Sequence, residues 1–128
     1  MRIKLVSIFV DDQDKALRFY TDVLGFKKKQ DFPVGGARWI TVVSEGTDDL
    51  ELVLEPNGHP AASAYQSALM KDGIPCTAFE SSDIRAEVQQ LKERGVIFKV
   101  EPTNAGTVTI AIFSDTCGNL IQIYEHKK

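Results

Sequence analysis

Histidine, cysteine and tryptophan are scarce in this chain, with 2 His, 2 Cys and 1 Trp among 128 residues. Two cysteines do not make the disulfide framework of a small secreted domain, so the simplest interpretation is two reduced thiols in a cytoplasmic protein. His59 lies in a predicted linker and His126 in the predicted C-terminal tail. No Ser-His or Cys-His pair of the kind used in nucleophilic catalysis can therefore be assembled from the predicted site strands.

A strong charge imbalance and long apolar runs are also missing. The formal net charge is -3, from 15 basic and 18 acidic side chains, which argues against a surface for nucleic acid or anionic membrane. No apolar segment approaches the roughly 18 residues of a membrane-spanning helix. The length predicts a single domain with a substantial core.

What the sequence does contain is a strand pattern that occurs twice. Residues 50–55 alternate leucines with more polar residues, among them Glu51, and residues 120–124 repeat the alternation around Gln122. This period of two indicates strands with one face on a core and the other in a wetter environment. Glu51 and Gln122 are 71 residues apart, which suggests two copies of one unit.

Helix signals repeat at nearly the same spacing. Asp12 and Asp83, 71 residues apart, are placed to begin a helix, and Gly25 and Gly95, 70 residues apart, are placed to end one. Strand patterns surround both helices, so the predicted order is β-α-β-β-β, a linking helix, and β-α-β-β-β. The predicted boundaries are residues 1–56 for the first module, 57–73 for the linking helix and 74–128 for the second module.

The predicted fold class is therefore α+β, with two modules that form a cup-shaped mixed sheet and helices on its outer face. The other face of the strands combines apolar residues with a few polar ones, which are Ser7, Glu51, Cys76, Gln122 and Tyr124. A concave, mostly apolar face with a few converging polar groups is typical of a small-molecule site.

The same order of motifs resembles the vicinal oxygen chelate superfamily. This superfamily holds glyoxalase I, the extradiol dioxygenases, the fosfomycin-resistance enzymes and the bleomycin-resistance binding proteins. The stretch from Phe32 to Trp39 resembles a common bacterial branch of it. The stretches that carry the resemblance across the chain are Val10-Asp11-Asp12, Phe19-Tyr20, Leu24-Gly25-Phe26, Arg38-Trp39, Leu50-Glu51-Leu52, Ser82-Asp83-Ile84, Arg94-Gly95-Val96 and Asp115-Thr116-Cys117-Gly118-Asn119.

The resemblance implies a cup that is completed in a homodimer and that, in the enzymes, holds a divalent metal. Its metal-ligand positions correspond here to Leu5, Glu51, Cys76 and Gln122. Leucine cannot bind a metal, a thiolate suits softer metals than the octahedral sites of the family, and glutamine is a weak neutral ligand. We therefore expect no metal cofactor, with a divalent metal as the less favoured alternative.

Glu51 is the candidate catalytic residue, as a ligand or as a general base whose pKa is raised by burial. The alternative for Glu51 is a carboxylate that is solvated or paired with an arginine such as Arg38. Cys76 is a candidate ligand-binding residue, or else a small buried hydrophobe. Gln122 is either a hydrogen-bonding group of the pocket or a structural residue.

Five further positions are candidates for ligand binding. Arg38 and Trp39 would provide a guanidinium and an aromatic wall for an anionic or aromatic ligand, or else are an ordinary solvated arginine and strand aromatic. Ser7 and Phe9 lie on the predicted site face of the first strand. Tyr124 is placed to donate a hydrogen bond to a ligand or to fill the cup.

The function predicted from these residues is the binding of a small organic molecule in the cup without the usual metal. The alternative is a divalent-metal-dependent lyase, isomerase or dioxygenase with a rearranged site around Glu51 and Gln122. A third class is a purely structural dimer with a filled cup. No nucleic acid or membrane partner is expected.

Overall fold

Short, capped helices and eight strands account for most of the chain, and the computed structural model describes all of residues 1–128. The helices are α1 (Gln13–Arg18), which continues as a π-helical turn (Phe19–Val23), α2 (Pro60–Asp72) and α3 (Ile84–Glu93). The strands are β1 (Leu5–Val10), β2 (Lys27–Val34), β3 (Ala37–Val43), β4 (Glu51–Pro56), β5 (Thr77–Glu80), β6 (Phe98–Ala105), β7 (Val108–Ser114) and β8 (Leu120–His126).

The strands form two sheets with the same arrangement. The first sheet has the order β1-β4-β3-β2 and the second the order β5-β8-β7-β6. In each sheet the first pair of strands, β1 with β4 and β5 with β8, is parallel, and the remaining pairs are antiparallel. The predicted α+β class with two β-α-β-β-β units is therefore confirmed. No helix has the length and apolar character needed to cross a membrane.

The predicted caps begin and end the helices. The Asp12 side chain accepts a hydrogen bond from the Lys15 amide at 3.0 Å, and the Asp83 side chain accepts one from the Ala86 amide at 3.1 Å. Gly25 follows the first helix with a φ of 88°, in the left-handed region that glycine adopts without strain. The π-helical turn just before Gly25 was not expected from the sequence.

Two turns are shorter than the sequence predicts. Proline favours turns over residues 33–36 and 102–106, but β2 continues through Pro33 to Val34 and β6 through Pro102 to Ala105, so the turns are confined to residues 35–36 and 106–107. Both β2 and β6 are edge strands, where a missing N–H need not remove a ladder hydrogen bond, and the pairing of β6 is shifted between Val100 and Thr103. His126, predicted to lie in the tail, is the last residue of β8.

One hydrophobic core joins the two units. It contains Ile8, Ile40 and Leu54 from the first sheet together with Phe113 and Ile121 from the second. These residues lie on the sheet faces that carry α1 and α3, which we call the helix-bearing faces. The opposite face of each sheet lies outside this core, and we call it the open face.

Aromatic and polar contacts connect the two β-α-β-β-β units across the core. The Phe19 ring, from the π-helical turn, lies 6.4 Å from that of Phe113, between centroids. Tyr20 donates a hydrogen bond from its hydroxyl to Oδ2 of Asp115 at 2.6 Å, and both residues are fully buried. Contacts from the π-helical turn of the first unit to the second unit therefore help to fix the relative placement of the two sheets.

Candidate functional site

The open face of the first sheet holds Glu51, the candidate catalytic residue of the first module. β1 and β4 pair in parallel with Leu5 opposite Glu51, so these side chains share a face. Thr41 of β3 lies opposite Val53 of β4 and therefore belongs to the same face. The centre of this face is buried, since Thr41, Glu51 and Val53 are all less than 5% exposed.

Glu51 is held in place by two hydrogen bonds to one of its oxygens. Its Oε1 accepts from Oγ1 of Thr41 at 2.8 Å and from Nε2 of Gln30 at 2.7 Å. Its Oε2 lies 3.8 Å from Nζ of Lys29, which makes a shorter ion pair of 2.9 Å with Asp48. The carboxylate is thus fixed by neutral donors on neighbouring strands and faces only a distant cation.

This environment favours the ionised form of Glu51. The hydrogen bond from Thr41 lowers the pKa of the carboxyl below its ordinary value, and Gln30 and the charge of Lys29 act in the same direction. Burial opposes these effects without reversing them. The expectation of a raised pKa is therefore wrong, because the sequence did not reveal the two donors beside the carboxylate.

Arg38 does not pair with Glu51. Its guanidinium donates to both carboxylate oxygens of Asp31, at 3.1 and 2.8 Å, and forms a second ion pair with Asp14. The bridge joins β2, β3 and α1, and it raises the pKa of the guanidinium further above its ordinary value. The predicted Arg38–Glu51 pair is thus absent, and the charge of Arg38 is committed to two acids.

Trp39 lies beside an aromatic residue that sequence reasoning missed. It pairs with Phe32 across β2 and β3, and both side chains share the open face with Thr41. Phe32 is 48% exposed, a large fraction for a phenylalanine, and Trp39 is half-buried. Alternation along β2 and β3 is the signal that would have placed Phe32, Trp39 and Thr41 on one face.

The open face of the second sheet carries Gln122 and Tyr124. They lie opposite Ile112 and Ile110 of β7, and both are half-buried. Gln122 also lies opposite Ala78 of β5. Neither side chain makes a hydrogen bond within the chain, so the polar atoms of both remain free to meet a ligand or a second protein.

The register of β8 places Gln122 differently from Glu51. Glu51 is opposite Leu5, but Gln122 is opposite Ala78, two residues beyond Cys76. The reason is the loop length: residues 44–50 connect β3 to β4, whereas only residues 115–119 connect β7 to β8. The predicted equivalence of Glu51 and Gln122 is therefore wrong by two residues, although the helix caps keep the 71-residue spacing.

Ser7, Phe9 and Cys76 meet in a different place, beneath α2. They line a cavity of about 120 Å³ between β1, β5 and the linking helix, which contributes Tyr65 and Leu69. Burial raises the pKa of Cys76 to about 11. The thiol is therefore protonated at neutral pH, which fits the alternative of a small buried hydrophobe.

The sequence as a whole matches one protein family. Residues 2–123 match the family described as the Glyoxalase/Bleomycin resistance protein/Dioxygenase superfamily. The chain belongs to this superfamily. Its two β-α-β-β-β units are the architecture that the resemblance implied.

Relatives within the superfamily cover the whole chain. The uncharacterized protein YurT of Bacillus subtilis (strain 168) is 57% identical over 98% of this chain and 99% of its own length. The crystal structure of TnmS3, an antibiotic binding protein from Streptomyces sp. CB03234, has a TM-score of 0.82 and 29% identity, with 99% of this chain and 97% of that chain covered. The probable lactoylglutathione lyase of Synechocystis sp. is 28% identical over 92% of this chain and 90% of its own length.

The superfamily's metal site does not fit the residues at its four positions. No group of three or more His, Cys, Asp or Glu side chains in the chain is arranged to hold a metal ion. Leu5 offers no donor atom, Cys76 is a protonated thiol, and Gln122 is displaced along its strand. Glu51 alone is an ionised oxygen donor, and two hydrogen bonds already engage one of its oxygens.

Proposed function

We propose that this protein binds a small, planar aromatic molecule on its open faces and does so without a metal ion. The observation that carries the proposal concerns Glu51. Its carboxylate is held by hydrogen bonds from Thr41 and Gln30, and no second metal-binding side chain lies beside it. The likeness to TnmS3, an antibiotic binding protein, supports binding rather than catalysis.

The aromatic pair of the first sheet supports the choice of ligand. Phe32 and Trp39 present two neighbouring rings on the open face, and rings of this kind stack on flat ligands. An anionic ligand is disfavoured, because the only nearby guanidinium, that of Arg38, is already bound to Asp31 and Asp14. The proposed ligand is therefore held by stacking and by apolar contact rather than by charge.

A homodimer is part of the proposal. The half-buried side chains of Gln122 and Tyr124, and the exposed Phe32, lie on faces that the shared core leaves uncovered. We propose that two copies enclose the ligand between such faces. Sedimentation equilibrium should then give twice the chain mass of 14.2 kDa, and a monomer at micromolar concentration would contradict this part.

The cytoplasm is the proposed location. Both cysteines are free, and Cys117 is buried in the turn before β8. A reducing compartment preserves such thiols. A mass spectrum of alkylated protein from cell extract, with both thiols modified after denaturation, is the expected result, and a disulfide in that sample would contradict it.

The single tryptophan provides the test of binding. A planar aromatic probe that is uncharged at neutral pH, such as acridone, should quench Trp39 fluorescence with saturation, and EDTA should leave the affinity unchanged. Phe32→Ala should lower the affinity for the probe by about tenfold, as expected for the loss of one stacking contact. Tyr65→Ala, which removes an exposed aromatic from α2, is the matched control. Equal effects of the two variants would contradict the proposed site.

The likeness to a probable lactoylglutathione lyase favours a second candidate, a metal-dependent lyase that uses Glu51 and Gln122. Calorimetric titration with Ni²⁺, Mn²⁺, Zn²⁺ and Fe²⁺ separates the two candidates. We expect no stoichiometric binding. Binding of one ion per site that is lost in Glu51→Ala would establish the second candidate and refute metal-free function.

A further inference from the structure

A second concave surface lies where the edges of the two sheets meet, beside the open faces. It is a groove of about 430 Å³ between the first sheet and β5, and we call it the seam groove. Val6, Val42 and Leu52 line it from the helix-bearing face of the first sheet, and Phe79 lines it from that of the second. None of the residues proposed to contact the aromatic ligand lines this groove.

The wall of the seam groove is apolar and partly open to solvent. Val6 is 45% exposed, and Leu50 at the rim is 52% exposed. Phe26 closes one side by an edge-to-face contact with Phe79, with ring centroids 5.2 Å apart. The groove is thus a preformed apolar recess, of a size that falls in the range of small-molecule sites.

An irregularity at the end of the first helix positions Phe26, which forms one wall of the groove. The chain leaves α1 through the π-helical turn, in which the Leu24 amide donates to the Phe19 carbonyl at 3.0 Å. The Phe26 amide then donates to the Tyr20 carbonyl, also at 3.0 Å. Such turns are rare, and they occur frequently at functional sites. The helix irregularity is therefore coupled directly to the shape of the groove.

The charged residues that line the groove are acidic, and the nearest cation is Lys29, 3.8 Å from Glu51. The two acidic residues are Glu51 and Glu80, and no lysine or arginine lines the groove. Glu51 is occupied by Thr41 and Gln30, but the Glu80 side chain is 63% exposed and has only His126, at 3.8 Å, beside it. An anion is disfavoured in such a setting, and a cation at the rim is favoured.

We propose that the seam groove is a second ligand site, which takes an apolar small molecule bearing an amine. The apolar body lies against Val6, Leu52 and Phe79, and the ammonium group lies toward Glu80 at the rim. This site is separate from the proposed aromatic site, since neither Phe32 nor Trp39 lines the groove.

A matched pair of probes tests the proposal. 4-Phenylbutylamine and 4-phenylbutyrate share one apolar body and differ in charge, so calorimetry on the wild-type protein measures the preference for an amine directly. We expect the amine to bind at one site per chain and about tenfold more tightly than the carboxylate. Val6→Trp, which fills the groove from an edge strand, should lower the affinity for the amine by about tenfold or more.

Control variants decide where the amine binds. Ile97→Trp adds the same side chain at a position that is 81% exposed and outside the groove, and it should leave the affinity unchanged. Leu50→Trp at the rim replaces Val6→Trp if that variant does not fold. Phe32→Ala should weaken the binding of acridone but not that of the amine, so the two proposed sites can fail separately.

Three results would overturn the proposed amine site. They are equal affinity for the two probes, an amine affinity unchanged by the groove-filling variants, and an amine affinity lowered by Phe32→Ala. Sedimentation of the groove-filling variants provides a further test. A wild-type dimer that becomes monomeric in Val6→Trp would show that a second copy covers the groove and would also refute the proposal.

Discussion

Replacing Glu51 by glutamine tests whether the buried carboxylate is ionised in the folded protein. Its Oε1 accepts two hydrogen bonds, from Thr41 at 2.8 Å and from Gln30 at 2.7 Å, and the side chain is 5% exposed. Each hydrogen bond to a charged group stabilises a protein by about 1.5–3 kcal/mol. The amide keeps the size of the side chain and one acceptor oxygen, so Glu51→Gln should lower the free energy of unfolding by about 2 kcal/mol.

Urea unfolding at neutral pH, followed by circular dichroism, measures this loss. Glu55→Gln is the matched control, because Glu55 lies on the same strand and the same face but makes no side-chain hydrogen bond or ion pair. We expect its effect to stay within about 0.5 kcal/mol. Equal losses in the two variants would refute the assignment of two charge-assisted hydrogen bonds to Glu51.

The same pair of variants predicts a dependence on pH. The folded pKa of Glu51 lies below its ordinary value of 4.5, so its contribution to stability is present above that value. The contribution is lost as the pH falls through the folded pKa, because a protonated carboxyl is also neutral. The stability difference between wild type and Glu51→Gln should therefore shrink on acidification. A constant difference from pH 7 to about pH 3 would show that Glu51 is not ionised.

Two further predictions concern the buried groups between the modules. Tyr20→Phe removes the 2.6 Å hydrogen bond to Asp115 and should lower the free energy of unfolding by about 2 kcal/mol. Tyr65→Phe, at an α2 residue that is 55% exposed, should change it by less than about 0.5 kcal/mol. A loss of the same size in both variants would contradict the role of the buried hydrogen bond. Burial raises the pKa of Cys76 to about 11 and that of Cys117 to about 12. Both thiols should therefore react with Ellman's reagent at pH 8 much more slowly in the native protein than in urea. A fast reaction in the native protein would contradict the protonated state of the thiols.

Local sequence signals were sufficient to predict most of the helices and strands. Asp12 and Asp83 begin helices and Gly25 ends one, because capping depends on a few neighbouring backbone groups. The signals failed at Pro33 and Pro102, where proline on an edge strand costs no ladder hydrogen bond. Whether a strand lies at an edge depends on the whole sheet and cannot be read from the proline itself.

The candidate site was predicted less completely. The sequence singled out Glu51 and Trp39 as site candidates, but it did not identify Thr41 and Gln30 as the partners of Glu51. These residues come from β3 and β2, and only the register of three strands brings them to one carboxylate. The predicted partner Arg38 was wrong for the same reason, since α1 and β2 bring two acids closer to it.

The sequence by itself determined the duplicated β-α-β-β-β plan and the helix caps, because each depends on residue type and short-range spacing. Only the tertiary structure decided that Glu51 is ionised and locked, that Gln122 is two residues out of register with it, and that a groove opens beside Phe26. Each of these depends on atoms from strands or helices distant in sequence. Their distances are fixed by sheet register and by the core that the two modules share.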